Sequence, residues 1–228
     1  MQMMGNLFGS CPSLLDDLVF YPMWQGLQCV DFLSGNILSN TEVTNGTSPC
    51  GEVTGTFTPS STLGFSSSGA VVMGNSSYTI AAWVYLSSDA YFGIISKQSG
   101  TNMREFNVDY LNTTKAFRFQ TNWSGQSTGW ITASSTSFGT PLPNAWHLAV
   151  AQLDSPNRKI SIIVDNVSRD DVAYNYAQYA ATSPINLGSG TGMIWQTPMW
   201  RRLLSAGEIR RFWNNGIGIG ISHTLGGQ

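Results

Sequence analysis

The sequence predicts an all-β fold, a sandwich of two packed antiparallel sheets with one short helix near the C-terminus. Three observations carry this. Short runs rich in Val, Ile, Thr and aromatic residues recur along the chain, separated by turn signals at regular spacing. Charged residues make up only 11% of the 228 residues while hydrophobic ones make up 42%, so the polar surface must come from Ser, Thr, Asn, Gln and Gly. A helical start signal occurs once, at Ser205.

The elements follow in order. Residues 18–22 (LVFYP) open a first strand, and residues 31–55 are turn-rich. Residues 54–65 alternate apolar and small polar groups, and residues 70–73 (AVVM) read as a short buried strand. Residues 78–85 are the clearest strand. Ile80, Ala82 and Val84 fall on one face, and Thr79, Ala81, Trp83 and Tyr85 on the other, so both faces are apolar and the strand belongs between layers. Further strands are expected at 92–97, 105–110, 116–121, 129–133, 146–153, 159–164, 185–188 and 192–200. Residues 173–181 alternate as a strand would, with Tyr174 and Tyr176 on one face. Ser205 and Glu208 form a capping-box pattern. Ile209, Phe212 and Trp213 then share a helical face, and Gly216 supplies the stop.

Several function classes are excluded or disfavoured by the same residues. The formal net charge is −2 and no basic stripe exists, which argues against nucleic acid. Arg201-Arg202 and Arg210-Arg211 read as solvated charge flanking the helix. No run approaches eighteen apolar residues, so no membrane span is expected, and the N-terminus lacks the basic and apolar regions of a secretory signal. The three cysteines, Cys11, Cys29 and Cys50, match no zinc spacing. Free thiols are the first reading, and a Cys29–Cys50 disulfide the alternative.

Six motifs, in order, resemble laminin-G-like domains of the concanavalin A-like lectin/glucanase superfamily: 79–84 (TIAAWV), 146–151 (WHLAVA), 160–165 (ISIIVD), 184–188 (PINLG), 202–209 (RLLSAGEI) and 214–216 (NNG). Residues 18–22 and 31–36 (DFLSGN) resemble the family's first strand and following turn. The resemblance implies a jelly roll spanning residues 16–217, with an N-terminal arm at 1–15 and a Gly-rich tail at 218–228. It also exposes a departure. Relatives carry an acidic pair on the strand before the helix, where this chain has Trp195 and Gln196 within 192–200 (GMIWQTPMW). Calcium needs several oxygen ligands, usually including carboxylates, so the loss weakens any calcium expectation. Asp31 remains the one candidate ligand, with a turn residue as its plainer reading.

Catalytic apparatus is hard to find. Glu105 and Asp109 are the nearest thing to a carboxylate pair, expected on one strand face about 13 Å apart. That is too far for a glycosidase pair and suits two solvent-facing carboxylates. His147, in the WHL strand, reads as structural, and no nucleophile elbow or phosphate loop appears. Aromatic residues beside amides are the remaining resource, because sugars offer apolar faces and hydroxyl rims. Trp123, Trp130 and Trp195, with Asn122, Gln126 and Gln196, are the candidate glycan contacts; packing in the core or against neighbouring subunits is the alternative for the tryptophans. Trp83, Trp146 and Trp213 are assigned to packing.

Two roles therefore compete. One is a non-enzymatic structural or adhesion protein at a virion surface, such as a phage capsid decoration or fibre, with capsid proteins or further copies of itself as partners. The other is a carbohydrate-binding lectin module on a cell surface or outside the cell, with glycans as partners. A glycoside hydrolase is a third reading, without the carboxylates it needs.

Overall fold

The structure, a computed structural model, describes residues 13–25, 28–66, 71–99, 103–122 and 129–219. Eighteen strands run in chain order: β1 (Leu18–Phe20), β2 (Pro22–Gln25), β3 (Gln28–Asp31), β4 (Ser39–Thr41), β5 (Thr44–Thr47), β6 (Val53–Phe57), β7 (Thr62–Phe65), β8 (Tyr78–Leu86), β9 (Phe92–Ser99), β10 (Met103–Leu111), β11 (Ala116–Thr121), β12 (Ile131–Ser134), β13 (Ala145–Asp154), β14 (Lys159–Val164), β15 (Ser168–Ala173), β16 (Ile185–Gly190), β17 (Gly192–Ile194) and β18 (Met199–Trp200). One helix, α1 (Ala206–Trp213), follows.

Two antiparallel sheets hold most of these strands. A nine-stranded sheet runs β15-β14-β13-β8-β17-β6-β5, with β18 also paired to β8 and β1 to β18. A seven-stranded sheet runs β12-β11-β10-β9-β16-β7-β4. β2 and β3 form a separate hairpin. Sequence neighbours are often far apart in a sheet, as in β9-β16-β7, which is the crossing pattern of a jelly roll.

β8 shows why the chain needs three layers. Its Ile80, Ala82 and Val84 enter the core between the sheets, with Phe106, Val108, Phe117 and Phe119 from the seven-stranded sheet. Its Ala81 and Trp83 point the other way into a second core, with Leu148, Val150, Trp200, Ile209 and Phe212. This second core is closed by α1 and by Leu14 and Leu18. Trp213 stacks flat on Trp83, ring centroids 5.1 Å apart. The nine-stranded sheet is thus covered on both faces.

The helix forms as its sequence requires. The Ser205 hydroxyl accepts from Glu208 N (3.3 Å), and the Glu208 carboxylate accepts from Ser205 N (2.8 Å). It ends earlier than the expected stop at Gly216, because Asn214 takes the left-handed conformation (φ 43°) and caps it.

Three local expectations fail. Val71–Met73 form no strand. Lys97 Nζ donates to Val71 O (2.8 Å), and Glu105 accepts from Met73 N, so side chains occupy groups a ladder would need. Residues 173–181 are not a strand beyond Ala173, and Tyr174 is buried while Tyr176 is exposed. Glu105 and Asp109 do not share a face and neither is solvated. A bulge between Arg104 and Phe106 adds one residue to β10 and inverts its alternation. Glu105 therefore turns inward to Lys97 (3.0 Å, both side chains fully buried), whereas Asp109 turns outward.

Candidate functional site

The outer face of the seven-stranded sheet has no covering layer among the described residues, and it is polar. β11 makes the pattern plain. Phe117 and Phe119 enter the core, and Arg118 and Gln120 alternate with them on the outside. On β10, Phe106, Val108 and Tyr110 point inward, leaving Asn107 and Asp109 outside.

These outer side chains are tied together. Arg118 forks onto Asp109, with Nε to Oδ1 and Nη2 to Oδ2 both at 2.7 Å. Asn107 Nδ2 donates to Asp109 (2.9 Å) and to Gln120 Oε1 (3.2 Å), and Arg104 Nη1 donates to the same Gln120 oxygen (2.6 Å). Gln120 Nε2 continues the chain to Thr132. Such a network fixes side-chain positions before any ligand arrives, which lowers the entropy a ligand must overcome.

Beside this network lies a cleft of about 260 Å³ over β7, β16, β9 and β10. Its polar lining comes from Thr62, Ser96, Gln98, Arg104, Asn107 and Asn186. The side chains of Thr62, Ser96, Gln98 and Asn186 enter no hydrogen bond among the described residues and remain available. Gly93 keeps the floor low: a Cβ there would sit 3.2 Å from Ser189 Cβ and from Tyr91 Oη. Tyr91, also in the lining, is 41% exposed. Burial, and then Asp109, raise its phenol pKa, so it stays a neutral donor. At the Gln98 end, the Arg104 guanidinium lies 4.0 Å over the ring of Trp130, itself 41% exposed. The cleft thus offers aromatic surface and several free hydroxyl and amide groups.

A second cleft, about 320 Å³, lies between the β2–β3 hairpin and the segment after β17. Tyr21, Met23, Trp24, Glu52, Trp195 and Gln196 line it. Its polar groups are less accessible. Trp195 is 3% exposed and its Nε1 donates to Glu52 (3.0 Å). Gln196 is 2% exposed, and both of its side-chain polar atoms are shielded from solvent without a hydrogen-bond partner among the described residues.

A family model described as the concanavalin A-like lectin/glucanases superfamily matches residues 60–210. The chain belongs to this superfamily. No curated protein matches the sequence. Among solved structures, the binding domain of Paraclostridial Mosquitocidal Protein 1 is similar, with TM-score 0.71 and 13% identity, over 88% of this chain and 52% of that one. The binding domain of botulinum neurotoxin DC in complex with SialylT aligns with TM-score 0.63 and 13% identity, over 88% and 52%. Domain 4 of AbnA, an extracellular arabinanase from Geobacillus stearothermophilus in complex with arabinotriose, aligns with TM-score 0.63 and 12% identity, over 85% and 96%. The chain spans about half the length of the toxin binding domains it matches. Two of these neighbours are named as binding domains, and at such identity the likeness is one of fold.

Within this superfamily fold, the residues singled out from sequence separate. Trp130 and Asn122 flank the β11–β12 hairpin at the end of the polar sheet; Trp123 and Gln126 lie outside the described residues. Asn122 is buried, and its backbone pairs with Arg104 and Tyr179. Trp195 and Gln196 lie elsewhere, in the second cleft. Trp195 is no open platform: its ring packs on Trp83 (6.1 Å) in the outer core. Asp31 anchors a turn, with Oδ1 accepting from Tyr21 N (2.9 Å) and Oδ2 from Ser34 N and Ser34 Oγ (3.1 and 2.6 Å). A cation there would have to displace three hydrogen-bond donors, and no group of three metal-binding side chains occurs among the described residues.

His147 is buried, with Nδ1 2.8 Å from Asp165 and Nε2 2.9 Å from Leu142 O. Both ring nitrogens face acceptors, which suits a doubly protonated ring. Burial lowers its pKa, but the Asp165 hydrogen bond and charge and the Leu142 carbonyl outweigh it and raise the value. No nucleophile is left room at this imidazole. Cys29 and Cys50 are both free thiols.

Sequence reasoning missed the polar lining, chiefly Ser96, Gln98, Arg104, Asn107 and Asn186. The signal was present in strands such as 116–121, where every second residue is polar, but which sheet face stays uncovered depends on where α1 packs.

Proposed function

We propose that this protein is a non-enzymatic glycan-binding surface protein and that sugars bind in the polar cleft of the seven-stranded sheet. The observation that carries the reading is an uncovered sheet face with a walled cleft, free hydroxyl and amide groups, the Tyr91 ring in its lining and Trp130 beside it under Arg104. Sugars need such mixed surfaces: C–H faces stack on rings, and hydroxyls exchange bonds with amides. The neighbours lend support: two are named as toxin binding domains, one of them in complex with SialylT, and the arabinanase domain is in complex with arabinotriose.

The non-enzymatic part rests on the carboxylates. Glycoside hydrolysis needs two of them flanking one bond. Near this cleft Asp109 is held by Arg118, and Glu105 lies on the opposite side of the sheet bound to Lys97.

The proposed setting is a virion surface, with capsid proteins or copies of the chain as further partners, supported by a chain of which only 11% of residues are charged. Copurification with particles tests that setting separately.

The test of the function is a glycan-array screen of the purified protein, followed by titration of the best ligand against Asn186→Ala and Gln98→Ala. Specific binding that weakens about tenfold in either variant supports the reading. A blank array from well-folded protein overturns it.

A further inference from the structure

The charge inside the cleft is unbalanced. Arg104 is the one charged residue in its lining. The neighbouring carboxylate on the sheet, Asp109, is already held in a two-bond fork by Arg118. Arg104 has no carboxylate partner among the described residues. Among the described residues its side chain makes one hydrogen bond, from Nη1 to the neutral Gln120 oxygen, and its Nε is buried with no acceptor.

A half-buried guanidinium with an unused donor costs free energy unless something meets it. Trp130 holds the guanidinium plane in place, 4.0 Å above its ring, without neutralising it. Burial lowers the guanidinium pKa; Asp109 and Tyr91 oppose this, and Arg118 adds to it. The group is thus positioned and partly desolvated. A planar fork of this kind matches a carboxylate, whose two oxygens accept parallel N–H bonds.

We infer that the cleft takes an acidic glycan, a saccharide whose carboxylate pairs with Arg104 while its neutral hydroxyls meet Gln98, Asn107 and Asn186. This rests on the glycan-binding reading above and narrows it to a ligand class. A carboxylated saccharide of either kind would serve: a uronic acid carries the group on C6 of a hexose, and a nonulosonic acid carries it at C1.

The test compares matched pairs on the intact protein by calorimetric titration. Oligouronides are paired with their carboxyl-reduced neutral forms, and sialylated glycans with their desialylated forms. The carboxylated member of at least one pair should bind about tenfold to a hundredfold more tightly. That preference should shrink as salt rises from low ionic strength, because half-exposed charges are screened. Arg104→Gln should abolish the preference, and Arg104→Lys should keep part of it. Thermal melts of both variants confirm that they are folded. Which pair responds identifies the carboxylate source. Equal binding of charged and neutral members, unchanged in Arg104→Gln, overturns this inference and leaves the glycan reading standing. A preference for sulfated over carboxylated sugars also overturns it. Absence of binding to every saccharide overturns both.

Discussion

Glu105→Gln is the substitution whose cost the structure specifies most closely. Glu105 and Lys97 are fully buried, 3.0 Å apart. Glu105 Oε1 also accepts from Met73 N and Gly74 N, and Oε2 from Ala181 N (3.0 Å). The carboxylate therefore ties two stretches of irregular backbone to β10. An amide in its place keeps one accepting oxygen, but its NH2 must face either the Met73 and Gly74 amides or Ala181 N and Lys97 Nζ. Lys97 would then be a buried cation without its counter-charge. Removing one partner of a buried pair costs about 3–5 kcal/mol. For a domain of this size that is a fall in Tm of about 6–20 °C. Lys97→Met should cost less, because the carboxylate keeps its three N–H donors. Urea unfolding and calorimetry measure both variants, and the double variant closes the cycle and gives the coupling. Amide exchange at 71–74 and 181 should also accelerate in Glu105→Gln. A loss below about 1 kcal/mol, or equal losses in the two single variants, would refute this account of the pair.

Four further outcomes follow from the same structure. The His147 pKa is raised on folding, so its contribution to stability is complete below the unfolded value near 6.5 and is lost as pH rises through the folded value; the stability gap between wild type and His147→Gln, measured by urea titration, should narrow from pH 5.5 to pH 9. Ser205→Ala removes the hydroxyl half of the capping box and should cost about 1 kcal/mol in the same assay. Because Asp31 spends both oxygens on a turn, EDTA should leave the Tm and glycan binding unchanged, and a fall in either would restore a cation. Burial, then Asp31, push the Cys29 thiol up to about 12, so thiol-reagent mapping should label the exposed Cys50 and spare Cys29 at neutral pH.

Most strands were legible because sheet faces impose a period of two. Residues 116–121 and 159–164 were read to the residue, and the double-sided apolar pattern of 78–85 announced a strand between two cores. What could not be read was set by single insertions and by contacts distant in sequence. A bulge between Arg104 and Phe106 leaves no clear mark in a string of letters, yet it decided that Glu105 goes inward. β4 and β5 were hidden because they are short and polar, SNT and TNGT, on sheet edges where no apolar face is required. The burial of Trp195 depends on Trp83, more than a hundred residues earlier, and on the chain at Gly218, where an added Cβ would meet the Trp195 ring at 2.4 Å. The candidate site followed the same rule. Trp130 was singled out by its residue type, whereas the amides and hydroxyls of the cleft became visible only once one sheet face was known to be open.

The most direct test of the central claim is an amide chemical-shift titration of the labelled protein with its best-binding glycan. Glycan recognition on the polar sheet predicts saturable shifts centred on Ser96, Gln98, Asn107 and Asn186, spreading to the indole of Trp130. Shifts centred instead on Met23, Trp24, Glu52 and Gln196 would contradict it and move the site to the second cleft.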